Sequence, residues 1–148
     1  MGCPAPSIIP PPRAPRIVLA EDDQTLRELL ASALAYEGYE VVQASTGNEL
    51  IDQMRRMTAA GENVDLLVSD VRMPKMSGLG VLRLLRDAEF DLPVILITAF
   101  SDLWTRTEAA AYGAVLLDKP VHLRNLRIEV EKALKRGGEP LPLRRASP

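Results

Sequence analysis

The stretch Val64-Asp65-Leu66-Leu67-Val68-Ser69-Asp70-Val71-Arg72-Met73-Pro74-Lys75-Met76-Ser77-Gly78 decides the reading of this chain. Its first six residues form a mostly apolar run of strand length. A carboxylate, Asp70, follows directly. Met73-Pro74 and Ser77-Gly78 then turn the chain, because proline fixes φ and glycine tolerates conformations that other residues avoid. A new apolar pattern, Leu79, Leu82 and Leu85, starts at Gly78 with helical spacing. A core strand that ends in a carboxylate at the mouth of a turning loop is an unusual place for a charge, so its neighbours need examination.

Working outward, the same alternation repeats. Strand-like runs are expected at Ile17–Ala20, Tyr39–Ala44, Val64–Ser69, Val94–Thr98 and Ala114–Leu117. Between them lie helical patterns. One carries Leu26, Leu29, Leu30, Ala33 and Leu34 and stops at Gly38; another carries Leu50, Ile51, Met54 and Met57. A third starts at Gly78, and a fourth runs from about Asp102 to Tyr112 and stops at Gly113. The last carries Leu123, Leu126, Val130, Ala133 and Leu134. Five strand–helix units in alternation predict an α/β fold, a doubly wound five-stranded parallel sheet with helices on both faces. The first, third and fourth runs are nearly all apolar, as strands covered on both sides should be.

The chain has 148 residues, enough for one domain with its own core. Prolines crowd its two ends, which predicts a disordered leader over 1–15 and a flexible tail over 137–148 around a folded body over 16–136. With 18 basic and 20 acidic side chains the net charge is −2, which gives no ground for direct nucleic-acid or membrane binding. The single cysteine, Cys3, allows no internal disulfide, and a reducing, cytoplasmic setting is expected. No apolar run is long enough to span a bilayer.

In doubly wound folds, ligands bind beyond the carboxyl ends of the strands. Those ends here carry Glu21, Asp22 and Asp23 after the first strand, Asp70 after the third, Thr98 at the end of the fourth, and Lys119-Pro120 after the fifth. Carboxylates brought together resist ionisation unless a cation neutralises them. Oxygen ligands favour a hard ion such as Mg2+, which leaves room for a phosphate oxygen. A carboxylate beside it can act as nucleophile toward phosphorus, with a lysine and a hydroxyl to hold the remaining oxygens. Asp23 reads as the N-cap of the first helix.

These four pieces, Ala20-Glu21-Asp22-Asp23, Asp70–Pro74 with Ser77-Gly78, Thr98-Ala99-Phe100 and Lys119-Pro120, together resemble the receiver domain of bacterial two-component response regulators, over about Arg16 to Arg136. The resemblance implies a flavodoxin-like (βα)5 fold and a phosphorylation-dependent signalling switch rather than an enzyme. It implies Asp70 as acceptor of a phosphoryl group from a histidine kinase, and Thr98 as the switch hydroxyl. Lys119 would be the phosphoryl contact, aimed by a cis Lys119-Pro120 bond. Mg2+ would be held by Asp22, Asp70 and the backbone carbonyl of Arg72, with Glu21 acting through water. A downstream effector, or a second copy docked through the last strand–helix face, would read the switch. The chain would be a stand-alone receiver or a fragment of a larger regulator.

Two features depart from that pattern. The segment Gly113–Lys119 is one residue shorter than is common, and Leu116 stands where an aromatic is frequent. An alternative is therefore a receiver-like scaffold that is never phosphorylated. An aspartate-nucleophile phosphatase would need a second acid two residues after Asp70, where Arg72 stands. His122, the only histidine, reads as a solvated first-turn residue. Trp104 reads either as packed on the sheet or as a partner-facing anchor.

Overall fold

The computed structural model describes residues 13–136; the expected tail, 137–148, and all but the last three residues of the expected leader lie outside the described residues. The elements run β1 (Arg16–Ala20), α1 (Gln24–Tyr36), β2 (Glu40–Ala44), α2 (Gly47–Ala59), β3 (Leu66–Asp70), α3 (Gly78–Asp87), β4 (Val94–Thr98), α4 (Leu103–Ala111), β5 (Val115–Asp118) and α5 (Leu123–Arg136). The five strands form one parallel sheet in the order β2-β1-β3-β4-β5. The expected doubly wound (βα)5 architecture is therefore present. The three runs read as covered on both sides are the three central strands, and every residue of β3 and β4 is buried.

Strand alternation sends successive side chains to opposite faces. Val18, Leu67 and Leu96 pack with Leu50 and Met54 of α2 and Leu79, Leu82 and Leu85 of α3. Ile17, Leu19, Val68, Ile95 and Ile97 pack on the other side with Leu30 and Leu34 of α1 and Leu126 and Val130 of α5. Burying each such side chain is worth about 1.5–3 kcal/mol, so both layers hold the sheet that carries the strand ends.

The helix starts are fixed by short polar side chains. Asp23, Thr46, Ser77 and Asp102 each accept the N–H three residues on, which satisfies an otherwise unpaired donor of the first turn. Gly38 and Gly113, just past α1 and α4, take positive φ (99° and 75°), as the sequence reading of both as helix ends requires. Four of the five strands differ from expectation by one or two residues at one end or both, the third by the most. The third strand begins at Leu66 rather than Val64, because the Asp65 carboxylate accepts the Arg16 N–H at 2.8 Å and the segment serves β1's entry. Its end includes Asp70, which pairs in register with Ile97.

The order reverses between β1 and β3: the chain leaves β1 toward β2, then crosses back to β3. Their carboxyl ends therefore open a crevice at the switch point, between Glu21-Asp22 on one side and Asp70 on the other. Among the described residues, no helix is long and apolar enough to cross a membrane.

Candidate functional site

Each expected site residue lies at this end of the sheet. Glu21 and Asp22 follow β1, Asp70 closes β3, Thr98 closes β4, and Lys119 follows β5. A carboxylate oxygen from each of Glu21, Asp22 and Asp70 falls within 4.8 Å of the others. Glu21 and Asp70 are buried and Asp22 is exposed, so the cluster opens to solvent on one side.

Asp70 is held at both oxygens. Its Oδ1 accepts the Arg72 N–H at 3.1 Å, and its Oδ2 accepts from Lys119 Nζ at 2.9 Å. The same ammonium stands 3.2 Å from Glu21 Oε1. That second contact is one of charge and not of direction, since Glu21 Oε1 remains a buried oxygen without a hydrogen-bond donor. Glu21 Oε2 takes the Asp23 N–H at 3.0 Å. The Lys119 backbone is fixed in turn, its N–H donating to Thr98 O at 2.8 Å and its bond to Pro120 being cis.

Burial, and the Asp70 charge beside it, push the Glu21 carboxyl up to about 7, against the opposing pull of the Asp23 amide and Lys119. A carboxyl raised in this way keeps a proton in the folded state that the unfolded chain has released. Between pH 4.5 and about 7 the native state thus binds more protons than the unfolded one, and stability must fall as pH rises through that window. In chelator, urea unfolding is expected to lose up to about 3 kcal/mol between pH 4.5 and 8, and Glu21→Gln is expected to flatten the profile.

The donor set suits a hard divalent cation. It offers oxygens only, two carboxylates resist shared burial, and one buried oxygen lacks a donor.

Thr98 is buried, and its hydroxyl is engaged at the next peptide but one. It accepts the Phe100 N–H at 3.0 Å and donates to Phe100 O at 3.2 Å. The Arg72 guanidinium lies over the Phe100 ring, 5.4 Å from its centroid, so these two side chains stand together at the rim. His122 is exposed, as expected. Trp104 is 57% exposed on α4, with the Arg83 guanidinium 5.6 Å from its ring centroid. Arg83 also pairs with Glu108 at 2.8 Å, so one α3 side chain grips α4 twice. Leu116 packs against the layer formed with α2, α3 and α4.

Contacts that periodicity could not reveal also shape the site. Arg27 of α1 donates to Glu21 O at 2.9 Å. Gly78 sits so close to the strand end that a Cβ there would lie 2.3 Å from Asp70 O. Gly47, the first residue of α2, is pressed against the same loop, where a Cβ would lie 2.2 Å from Met76 O. Such approaches are the one signal a glycine at a helix start carries in sequence.

A buried strand-end aspartate with an ammonium on it and an acidic pair beside it thus stands at the switch point of a doubly wound sheet. A family model described as the response regulator receiver domain matches residues 17–131. Among curated proteins, the response regulator receiver protein CpdR of Brucella abortus is 35% identical over 120 residues, covering 80% of this chain and 96% of that one. Response regulator MprA of Mycobacterium avium is 36% identical over 122 residues, covering 82% of this chain but 51% of that one. The chain thus spans nearly all of the first relative and about half of the second. Among solved structures, a CheY-like response regulator receiver domain protein from Methanospirillum hungatei superposes with a TM-score of 0.76 at 25% identity, covering 84% of this chain and 96% of that one. A response regulator receiver domain from Clostridium thermocellum gives 0.73 at 30% identity, covering 82% and 95%. The chain belongs to the response regulator receiver domain family.

Proposed function

We propose that this chain is a phosphorylation-controlled switch of a two-component system, with Asp70 accepting a phosphoryl group from a histidine kinase. The receiver body spans 16–136, between a leader and a tail. The observation that carries the reading is the Asp70 carboxylate itself: buried in a rigid strand, open at the crevice, and already touched by Lys119 at 2.9 Å.

Mg2+, held by Asp22, Asp70 and the Arg72 carbonyl with Glu21 behind them, would neutralise charge on the phosphoryl oxygens. The chain's own residues do the rest. An Asp70 oxygen forms the bond to phosphorus as the phosphorus–nitrogen bond to the donor imidazole breaks, and that bond's electron pair leaves on the imidazole nitrogen. The product is an acyl phosphate on Asp70. Lys119 then trades part of its carboxylate contact for a phosphoryl oxygen. The Thr98 hydroxyl, now donating to Phe100 O, turns to donate to another phosphoryl oxygen. That exchange frees the Phe100 peptide, which leads directly into α4. The α4–β5–α5 surface, where Leu103 and Trp104 are exposed, is the face an effector or a second copy would read. Arg72 stands where a phosphatase would need its general acid, so the domain serves as substrate of its own phosphotransfer and turns over no external phosphoester.

The test is intact-protein mass after incubation with acetyl phosphate and Mg2+. One phosphoryl adduct is expected, lost in chelator and absent from Asp70→Asn. A folded wild-type protein that takes up no phosphoryl group would overturn the reading and leave the scaffold alternative.

A further inference from the structure

Of the three carboxylates at the crevice, Asp22 is the one whose side chain nothing holds. Asp70 is bonded at both oxygens. Glu21 has the Asp23 N–H on one oxygen and the Lys119 ammonium near the other. The exposed Asp22 carboxylate has no hydrogen-bond or ion-pair partner among the described residues. Its side chain is short, so the place of its oxygens is set by the place of its backbone.

That backbone is fixed from outside the acidic cluster. The Glu21 N–H donates to Ala44 O at 3.1 Å, which ties the preceding residue to the end of β2. The Glu21 carbonyl shares a rigid peptide plane with the Asp22 N–H, and it accepts from Arg27 Nη1 at 2.9 Å. Arg27 is half-buried on α1, and its Nε donates to Gln43 Oε1 on β2 at 3.1 Å. One planar guanidinium thus joins the end of β1 to β2 from a helix whose start is itself capped by Asp23. Both of its bonds go to neutral oxygens, and it makes no ion pair among the described residues.

We propose that Arg27 is a positioning residue for the cation site: by holding the Glu21–Asp22 peptide, it aims the Asp22 carboxylate at the place where Mg2+ would sit. This role rests on the Mg2+ reading of the cluster given above. It goes beyond that reading by assigning the aim of Asp22 to a side chain that supplies no ligand. Partners that orient a ligand in this way typically cost about 10–100-fold in metal affinity when removed.

Charge alone predicts the opposite. Arg27 is a cation on the wall of a cation site, so its removal should by electrostatics tighten Mg2+ binding. The sign of the change separates the two.

The test is calorimetric titration of Mg2+ into the full chain, wild type against Arg27→Met. Phosphoryl uptake from acetyl phosphate is followed over a range of Mg2+ concentrations alongside. Arg27→Met is expected to weaken Mg2+ binding about 10-fold or more and to raise the Mg2+ needed for half-maximal uptake by the same factor. The rate at saturating Mg2+ should stay within about twofold, since the lost interaction is one of binding. In chelator, the order parameter of the Asp22 amide should fall from about 0.85 toward about 0.6, a readout that needs no metal. Should Arg27→Met fail to fold, Gln43→Leu decides, because it frees the same guanidinium from an exposed strand position. Weaker Mg2+ binding there supports the role, and unchanged binding overturns it. Mg2+ binding that is unchanged or tighter in folded Arg27→Met overturns the role of Arg27, as does a slower saturated rate at unchanged Mg2+ affinity. Wild-type protein that binds no Mg2+ overturns the cation site itself and this role with it, so the two failures are distinguishable.

Discussion

Lys119→Met is expected to slow phosphoryl uptake from acetyl phosphate by about 10²–10³-fold, the cost of removing one fixed donor from a developing oxyanion. Methionine retains much of the stem's length and apolar character and removes the charge. The ammonium it removes is 2.9 Å from Asp70 Oδ2 and 3.2 Å from Glu21 Oε1. It is also aimed, because the Lys119 N–H is tied to Thr98 O. A second readout separates this role from a merely structural one. The lysine is itself a cation competing for these carboxylates, so its loss should leave Mg2+ binding at least as tight as in the wild type, by calorimetric titration. Loss of both uptake and Mg2+ affinity would instead mean that the pocket had collapsed.

The largest effect on stability is expected from Gly78→Ala. Its Cβ would meet Asp70 O at 2.3 Å, with Asp70 C and Ser69 Oγ both at 3.1 Å. Two of those three atoms are backbone of a buried central strand and cannot swing aside. The Gly78 N–H is also bonded to Val71 O at 2.8 Å, which holds the two segments together. A cost of about 3 kcal/mol or more is expected in urea unfolding. Because the forced shift falls on the peptide of Asp70, the proposed phosphoacceptor, phosphoryl uptake should slow too. Gly80→Ala, two residues on, supplies the contrast. There the nearest atom is Met76 Cγ at 3.2 Å, the part of a flexible side chain that can move. Replacing this half-buried helical glycine by alanine then gains up to about 1 kcal/mol in helix propensity. Two glycines in one turn should therefore respond with opposite signs.

Much of this was legible in the sequence because it is periodic. The apolar runs of β1, β3 and β4 needed no partner to be recognised, and their burial fixed which strands lie at the centre. Asp23 as a cap, Gly38 and Gly113 as helix ends, and the strand-end positions of Glu21, Asp22, Asp70, Thr98 and Lys119 all follow from local chemistry plus alternation. What was not legible is what depends on distance through space. Arg86 binds Phe90 O and Leu92 O, and across 26 positions Tyr112 O, tying α3 to the end of α4. Nothing local marks that arginine. Asp65 could not be told from a strand residue until its carboxylate was seen on the Arg16 amide. The raised carboxyl of Glu21 likewise arises from strands brought together, not from its neighbours in the chain.

The grip of Arg83 on α4 has an optical consequence. Trp104 is the only tryptophan in the 148 residues, and it stands over that guanidinium at the surface. Any rearrangement that parts α4 from α3 must change the charge and hydration at its indole. The domain thus carries an intrinsic fluorophore on the helix that follows Thr98 and Phe100. Its emission can be followed without a label, in the same cuvette in which Mg2+ and phosphodonor are added.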